Sequence, residues 1–313
     1  MFRQRFRLAL EQLNAGDLPG ATQSCAALLR FAANDPAVSQ LHATVLLRRG
    51  DASAAFEAIR RSLSTRPNHV PSLILAGRAA QELGVWEQAV GFLTQAVAMA
   101  PTVAEPAFLL AHVVLAHDAD QLAGLLVDLH ARFPAEAAQW QGLGLALQRA
   151  GRRAAALRAF DAAVAAEPAS AKAQFGRGLL LREAGDLPGA EAALVQAVAL
   201  APGLAPAWFA LGLTYQDRLD EARAAAAYEA ALRAQADFAE AAVNLGIARQ
   251  RLGDMAGALA AYRRAMQVRP ESFARIAQAV TTASTGLLWL DLGAFRRSLT
   301  ADTEDASALL SRP

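Results

Sequence analysis

Between positions 112 and 130 the chain gathers His112, His117, Asp118, Asp120, Asp128 and His130, the one cluster of side chains whose types could do chemistry. Imidazole nitrogens and carboxylate oxygens bind divalent metals, provided that they converge. Here the spacing works against convergence: His112 and His117 are five apart and project from different faces of a helix, and no H-x-x-x-H pair occurs. A polar turn and a solvated helix face account for the same residues, so a metal-dependent enzyme built on this stretch is the remaining alternative. Cys25 stands alone, which excludes an internal disulfide and reads as a small buried hydrophobe. The chain has no phosphate-binding G-x-x-x-x-G-K loop, no dinucleotide fingerprint after a strand, no G-x-S-x-G elbow and no paired cysteines. No catalytic residue, metal or cofactor is therefore assigned.

The elements that would carry these residues are set by a ruler of prolines. Pro67, Pro101, Pro134, Pro168, Pro202 and Pro270 fall at steps of 34, 33, 34, 34 and twice 34 residues. Aligned on them, eight segments begin near Phe2, Pro36, Val70, Val103, Ala137, Ala171, Ala205 and Ala239 and end about Ser272. Places counted from each start carry recurrent types. The fourth is Trp140 and Trp208, and the seventh and eighth are Leu143-Gly144, Leu211-Gly212 and Leu245-Gly246. The twentieth is Ala21, Ala55, Ala89, Ala156, Ala190, Ala224 and Ala258, with a large residue four later, as in Phe160, Tyr228 and Tyr262. Small residues set beside large ones are the pattern of two closely packed helices. Gly16, Gly50, Gly84, Gly151, Gly185 and Gly253 stand where a first helix should stop. Asp17, Asp51, Asp186 and Asp254 follow as caps for the second helix, and the prolines end it.

This pattern resembles the tetratricopeptide repeat (TPR) family, and the resemblance covers residues 2–272. It implies an all-α fold, a right-handed α-solenoid superhelix of about eight helix-turn-helix repeats. It also implies that the first helices line a concave groove, to which roughly the second, fifth, sixth, ninth, twelfth and thirteenth places contribute. Those places supply Phe6, Leu10, Ile74, Arg78, Gln81, Phe108, His112, Gln141, Leu145, Gln148, Phe175, Leu179, Arg182, Phe209, Leu213, Gln216, Val243, Asn244, Ile247 and Gln250. Four-residue spacing puts the fifth and ninth places on one face. Most of that face is apolar, especially in the last three segments, while amides at the twelfth place can donate to and accept from a peptide backbone. Phe175 and Phe209 are read as groove and Trp208 as buried packing. The carboxylate clamp of the chaperone-binding members is disfavoured. The fifth place never carries Lys, and Asn occupies the sixth only at Asn244.

Segment four is one residue short and lacks its turn glycine, a degeneracy that can bend a solenoid. After Ser272 the period stops. Phe273, Ile276, Ala277 and Val280 form a stripe suited to cap the last repeat, and a further helix should run through Phe295 and Leu299, so that 273–299 is a C-terminal cap. Trp289, in Leu287-Leu288-Trp289-Leu290, either packs on segment eight or contacts a partner or second copy, and 300–313 reads as a disordered tail.

The net charge of +1 argues against a nucleic-acid or anionic-membrane partner. No stretch approaches the ~20 apolar residues of a membrane helix. Arg3, Arg5 and Arg7 interrupt the N-terminal apolar residues, so residues 1–13 read as a repeat helix and not a secretory signal, and the protein is expected to be cytoplasmic. Lys172 is the single lysine among thirty basic residues, a coding bias expected of a GC-rich bacterial genome. The expectation is a non-catalytic interaction scaffold holding an apolar or amphipathic peptide or partner helix. The alternative is a module that recruits substrate to a separately encoded sulfotransferase, glycosyltransferase or dioxygenase.

Overall fold

The computed structural model describes residues 2–33, 35–115, 119–282 and 292–300. The chain forms two compact units, Met1–Ala155 and Ala156–Pro313. The first contains α1 (Phe2–Asn14), α2 (Leu18–Phe31), α3 (Pro36–Arg48), α4 (Ala52–Thr65), α5 (Val70–Glu82), α6 (Trp86–Met99), α7 (Ala104–Val114), α8 (Ala119–Arg132) and α9 (Ala137–Arg149). The second contains all but the first residues of α10 (Arg153–Ala166), then α11 (Ala171–Glu183), α12 (Leu187–Leu200), α13 (Ala205–Asp217), α14 (Glu221–Ala234), α15 (Ala239–Arg251), α16 (Met255–Val268), a 3-10 turn at Pro270–Ser272, α17 (Phe273–Thr282) and α18 (Leu292–Thr300). Within each unit consecutive helices pack as antiparallel pairs, and each pair touches the next, the arrangement of an α-solenoid. A long array has only such neighbour contacts, so nothing in its physics requires one undivided core over 2–272.

Local chemistry explains the helix ends. Asp17, Asp51, Asp186 and Asp254 accept from the N–H groups of Gly20, Ala54, Gly189 and Gly257 at 2.8–3.0 Å, contacts worth about 1 kcal/mol each. Asp220 does the same for α14, accepting from Arg223 N–H at 3.0 Å, although no glycine precedes it to mark the turn. That turn is made by Leu219, whose φ of 60° places a side chain in the left-handed region taken by glycine in six other repeats.

Packing follows a size rule. In the second unit the ring of Tyr228 lies against Gly212 and that of Tyr262 against Gly246. A Cβ on Gly212 would stand 2.5 Å from the Tyr228 ring, closer than atoms can approach. In the first unit Leu93 fills the same place opposite Gly77, while Ile59 shares its core with Ala43, and Cys25 with Ala9. Cys25 is fully buried, as its place required, and burial pushes its thiol up to about 11.

The two tryptophans of the fourth place differ. Trp140 is 2% exposed, donates from Nε1 to the Phe133 carbonyl at 2.9 Å and meets Phe108 edge-on at 5.1 Å. Trp208, expected to be buried packing, is only partly so. Its Nε1 donates to the Pro202 carbonyl at 2.9 Å, and among the described residues no aromatic ring covers it as Phe108 covers Trp140. The repeat-four first helix, α7, spans 11 residues where the other first helices span 13. At the C-terminus, Ile276 and Val280 of α17 and Phe295 and Leu299 of α18 join the core of the last repeats. Trp289 and residues 301–313 lie outside the described residues, as do His117 and Asp118. Among the described residues no helix is long and apolar enough to cross a membrane.

Candidate protein-binding face

In the second unit, three successive first helices present one row. Phe175 and Leu179 on α11, Phe209 and Leu213 on α13, and Ile247 on α15 are all half-buried and packed on the core beneath. Each therefore has one flank against protein and one toward water. Phe209 is the most enclosed by rings, with centroids 5.7 Å from Tyr228 and 5.0 Å from Phe238. Polar groups edge the row. Arg182 Nε meets Asp217 Oδ2 at 2.7 Å, bridging α11 to α13, so this arginine already has a carboxylate partner.

Four of the proposed lining residues turn out to serve the fold around this row. Gln216 and Gln250 accept hydrogen bonds from the Tyr228 and Tyr262 hydroxyls, each at 2.9 Å. Gln250 is 2% exposed and is thereby withdrawn from any backbone ligand. Val243 and Asn244 are also buried, because α17 lies over α15 and Arg275 donates to Asn244 Oδ1 at 2.5 Å. Burial raises the pKa of both phenols, so they stay neutral donors.

In the first unit the corresponding places do not form an apolar row. Ile74 and Phe108 are buried, Phe108 because Trp140 and Phe133 close over it, so these two are packing and not lining. Arg78 is exposed and pairs with Glu105 at 2.7 Å. Phe6 stacks on Phe2 at 6.3 Å, Leu10 and Leu145 are exposed, Gln81 is exposed, and Gln141 and Gln148 are half-buried. His112 is half-buried, and desolvation lowers its pKa, which favours neutral imidazole.

The histidine and aspartate cluster of repeat four is not drawn together by the residues that are described. Asp128 pairs with Arg132 at 2.6 Å, and the His130 ring faces Trp140 at 6.0 Å. Among the described residues no three His, Cys, Asp or Glu side chains are placed to hold a metal ion. Sequence reasoning missed the Asp220 cap and the pairing of Tyr228 with Gln216 and of Tyr262 with Gln250. The second was signalled by tyrosine appearing at the twenty-fourth place in the two repeats whose twelfth place is one of these glutamines.

Comparison with known proteins agrees with this architecture. The family model described as tetratricopeptide repeat matches residues 142–205 and 209–272, and one described as anaphase-promoting complex, cyclosome, subunit 3 matches 14–96. The solved C-terminal part of a TPR repeat-containing protein from Cytophaga hutchinsonii is 12% identical, with 88% of this chain and 99% of that chain covered and a TM-score of 0.62. A tetratricopeptide repeat protein from Parabacteroides merdae is 16% identical over 89% of this chain and 98% of its own, with a TM-score of 0.47. YrrB, described as a TPR protein with an unusual peptide-binding site, is 19% identical over 59% of this chain and 96% of its own, with a TM-score of 0.46. No curated protein matches at a significant level. Repeat pattern, helix pairing and family match converge, and the chain is a tetratricopeptide-repeat protein.

Proposed function

We propose that this protein is a non-catalytic interaction scaffold that holds an apolar or amphipathic segment of a partner protein along the first-helix face of its second unit. The observation that carries the reading is the half-buried row of Phe175, Leu179, Phe209, Leu213 and Ile247 across α11, α13 and α15. Side chains held by a core on one flank lose little freedom when a ligand covers the other, so the entropic cost of binding there is low. An amphipathic helix laid in such a row would bury its apolar side chains against it and leave its polar face to water. A separately encoded enzyme is one kind of partner that such a segment could belong to.

The test must avoid residues that also hold the fold. Phe209 is wedged between two rings, so a charge there would disturb packing as well as binding. Leu179 and Leu213 are better probes. Capture of partners from native extract, followed by crosslinking and peptide mapping, should give crosslinks beside α11, α13 and α15. The double variant Leu179→Gln, Leu213→Gln should reduce capture at least about tenfold while circular dichroism is unchanged. Arg78→Ala, on the mixed face of the first unit, should leave capture as it was. Capture that survives the double variant would sink the reading.

A further inference from the structure

A cleft of about 300 Å³ lies on the second-helix side of the last two repeats, away from the apolar row. Its walls come from α14, α15 and α16. Leu232, Leu245, Ala260 and Ala261 supply its apolar surface, and Arg233, Arg249, Arg264 and Glu229 supply its charge, three cations against one anion and so a net +2.

Arg249 is the unexpected member. It occupies the eleventh place of its repeat, where other repeats carry Leu46, Ala80, Leu147, Leu181 and Tyr215, all buried. A guanidinium at a core place loses hydration and needs compensation. Glu229 supplies part of it at 2.7 Å, and Arg249 also donates to the Gly257 carbonyl at 3.3 Å. Arg264, likewise, is held by main chain. It donates to the Ala236 carbonyl from Nε and Nη2 at 3.2 and 2.9 Å and to the Leu232 carbonyl at 3.2 Å, at the C-terminal end of α14. Two guanidinium groups are therefore fixed in place, and Arg264 keeps its Nη1 donors uncommitted among the described residues. Arg233 differs from both. It is exposed and makes no hydrogen bond or ion pair among the described residues.

Fixed cations, one adaptable cation and an apolar wall form a receptor for an anion with a hydrocarbon part. The volume is at the lower limit of small-ligand pockets, and too small for a helix. Glu229 would repel a second negative charge at the same point, so a singly charged carboxylate head fits better than a phosphate dianion. We propose that this cleft binds a carboxylate on a short aliphatic stem, the head held between Arg233 and Arg264 and the stem laid against Leu232, Leu245 and Ala261. A glutamate side chain of a partner and a small free aliphatic acid share that chemistry.

The experiment titrates the full chain with butyrate, with the blocked tripeptide acetyl-Ala-Glu-Ala-amide and with inorganic phosphate, reading arginine Nε resonances by NMR. Saturable binding of butyrate or tripeptide, with a dissociation constant on the order of 1 mM, is expected. Arg233→Ala should weaken it about tenfold, the size expected for a lost charged hydrogen bond, and this exposed residue holds nothing in the fold. Preference for the tripeptide points to a partner's glutamate, and preference for butyrate to a free acid. Both outcomes support the site. The variant Leu179→Gln, Leu213→Gln should bind these probes unchanged, which separates the cleft from the apolar row. The inference is overturned by any of three results: no saturation by either carboxylate up to about 10 mM, equal binding in Arg233→Ala, or phosphate binding as tightly as butyrate.

Discussion

At the twenty-fourth place the first unit carries Cys25, Ile59 and Leu93, whereas the second carries Phe160, Tyr228 and Tyr262 beside Leu194. The smaller aliphatic side chains need little from their surroundings, since Ala9 and Ala43 suffice in the cores of Cys25 and Ile59, whereas Leu93 and Leu194 already lie against Gly77 and Gly178. The aromatic version needs glycine at the contact and, for tyrosine, a buried acceptor such as Gln216 or Gln250. The faces differ in step with the cores. Over its larger rings the second unit keeps a continuous apolar row, while the first presents the Arg78–Glu105 pair and scattered apolar residues. One repeat pattern thus supports two surfaces, because the positions that vary are those between core and face.

Removing the two tryptophans of the fourth place should break this comparison most strongly. Trp140→Ala deletes a fully enclosed indole and should destabilise by about 3–5 kcal/mol, against roughly 2 kcal/mol for Trp208→Ala, whose ring already meets water. Denaturant unfolding of the two variants decides it, and equal losses would mean that Trp208 is as well packed as Trp140.

Alkali should come next in size. The Cys25 thiol titrates near 9.0 when unfolded and about 11 when folded. The folded chain therefore holds this proton more tightly, and the associated stability is present below pH 9 and lost as pH rises to about 11. The loss is about 2–3 kcal/mol. Cys25→Ala should abolish that portion of the pH dependence. Tyr228 and Tyr262, raised from 10.0, add a further loss in the second unit that begins as pH passes 10, one pH unit later than that of Cys25. Stability curves of wild type and Cys25→Ala that fall together between pH 9 and 11 would contradict the assignment.

The smallest effect reverses sign between the units. A Cβ on Gly176 would lie 2.5 Å from the Phe160 ring, so Gly176→Ala should cost about 1–3 kcal/mol. Gly142, at the same sixth place one repeat earlier, has nothing within 4 Å, and Gly142→Ala should stabilise by about 1 kcal/mol through helix propensity. Melting temperatures that shift in the same direction would refute the size rule.

Helix starts, turn glycines, aspartate caps and the burial of Cys25 were legible because each rests on residues within one repeat. The binding face was legible only in part. Phe175, Leu179, Phe209, Leu213 and Ile247 keep an open flank, but Val243 and Asn244 vanish under α17, a helix outside the period from which those places were assigned. Gln216 and Gln250 read as ligands for a peptide because a lone amide in a sequence does not reveal that a tyrosine twelve residues on will use it. Ile74 and Phe108 were hidden by their neighbours' bulk, which place-counting does not weigh. The Asp220 cap escaped because Leu219 stands where a glycine would have announced the turn.

Phe160 reaches Gly176 across the joint between two repeats. The end of one repeat is in this way matched to the beginning of its successor, a bare ring to a missing side chain. Such repeats are not interchangeable beads. Bringing the repeat that starts at Pro36 behind Phe160 would drive Leu41 into the ring, so repeats can be duplicated or exchanged only at joints whose two halves agree. The sequence of the array carries a syntax as well as a period.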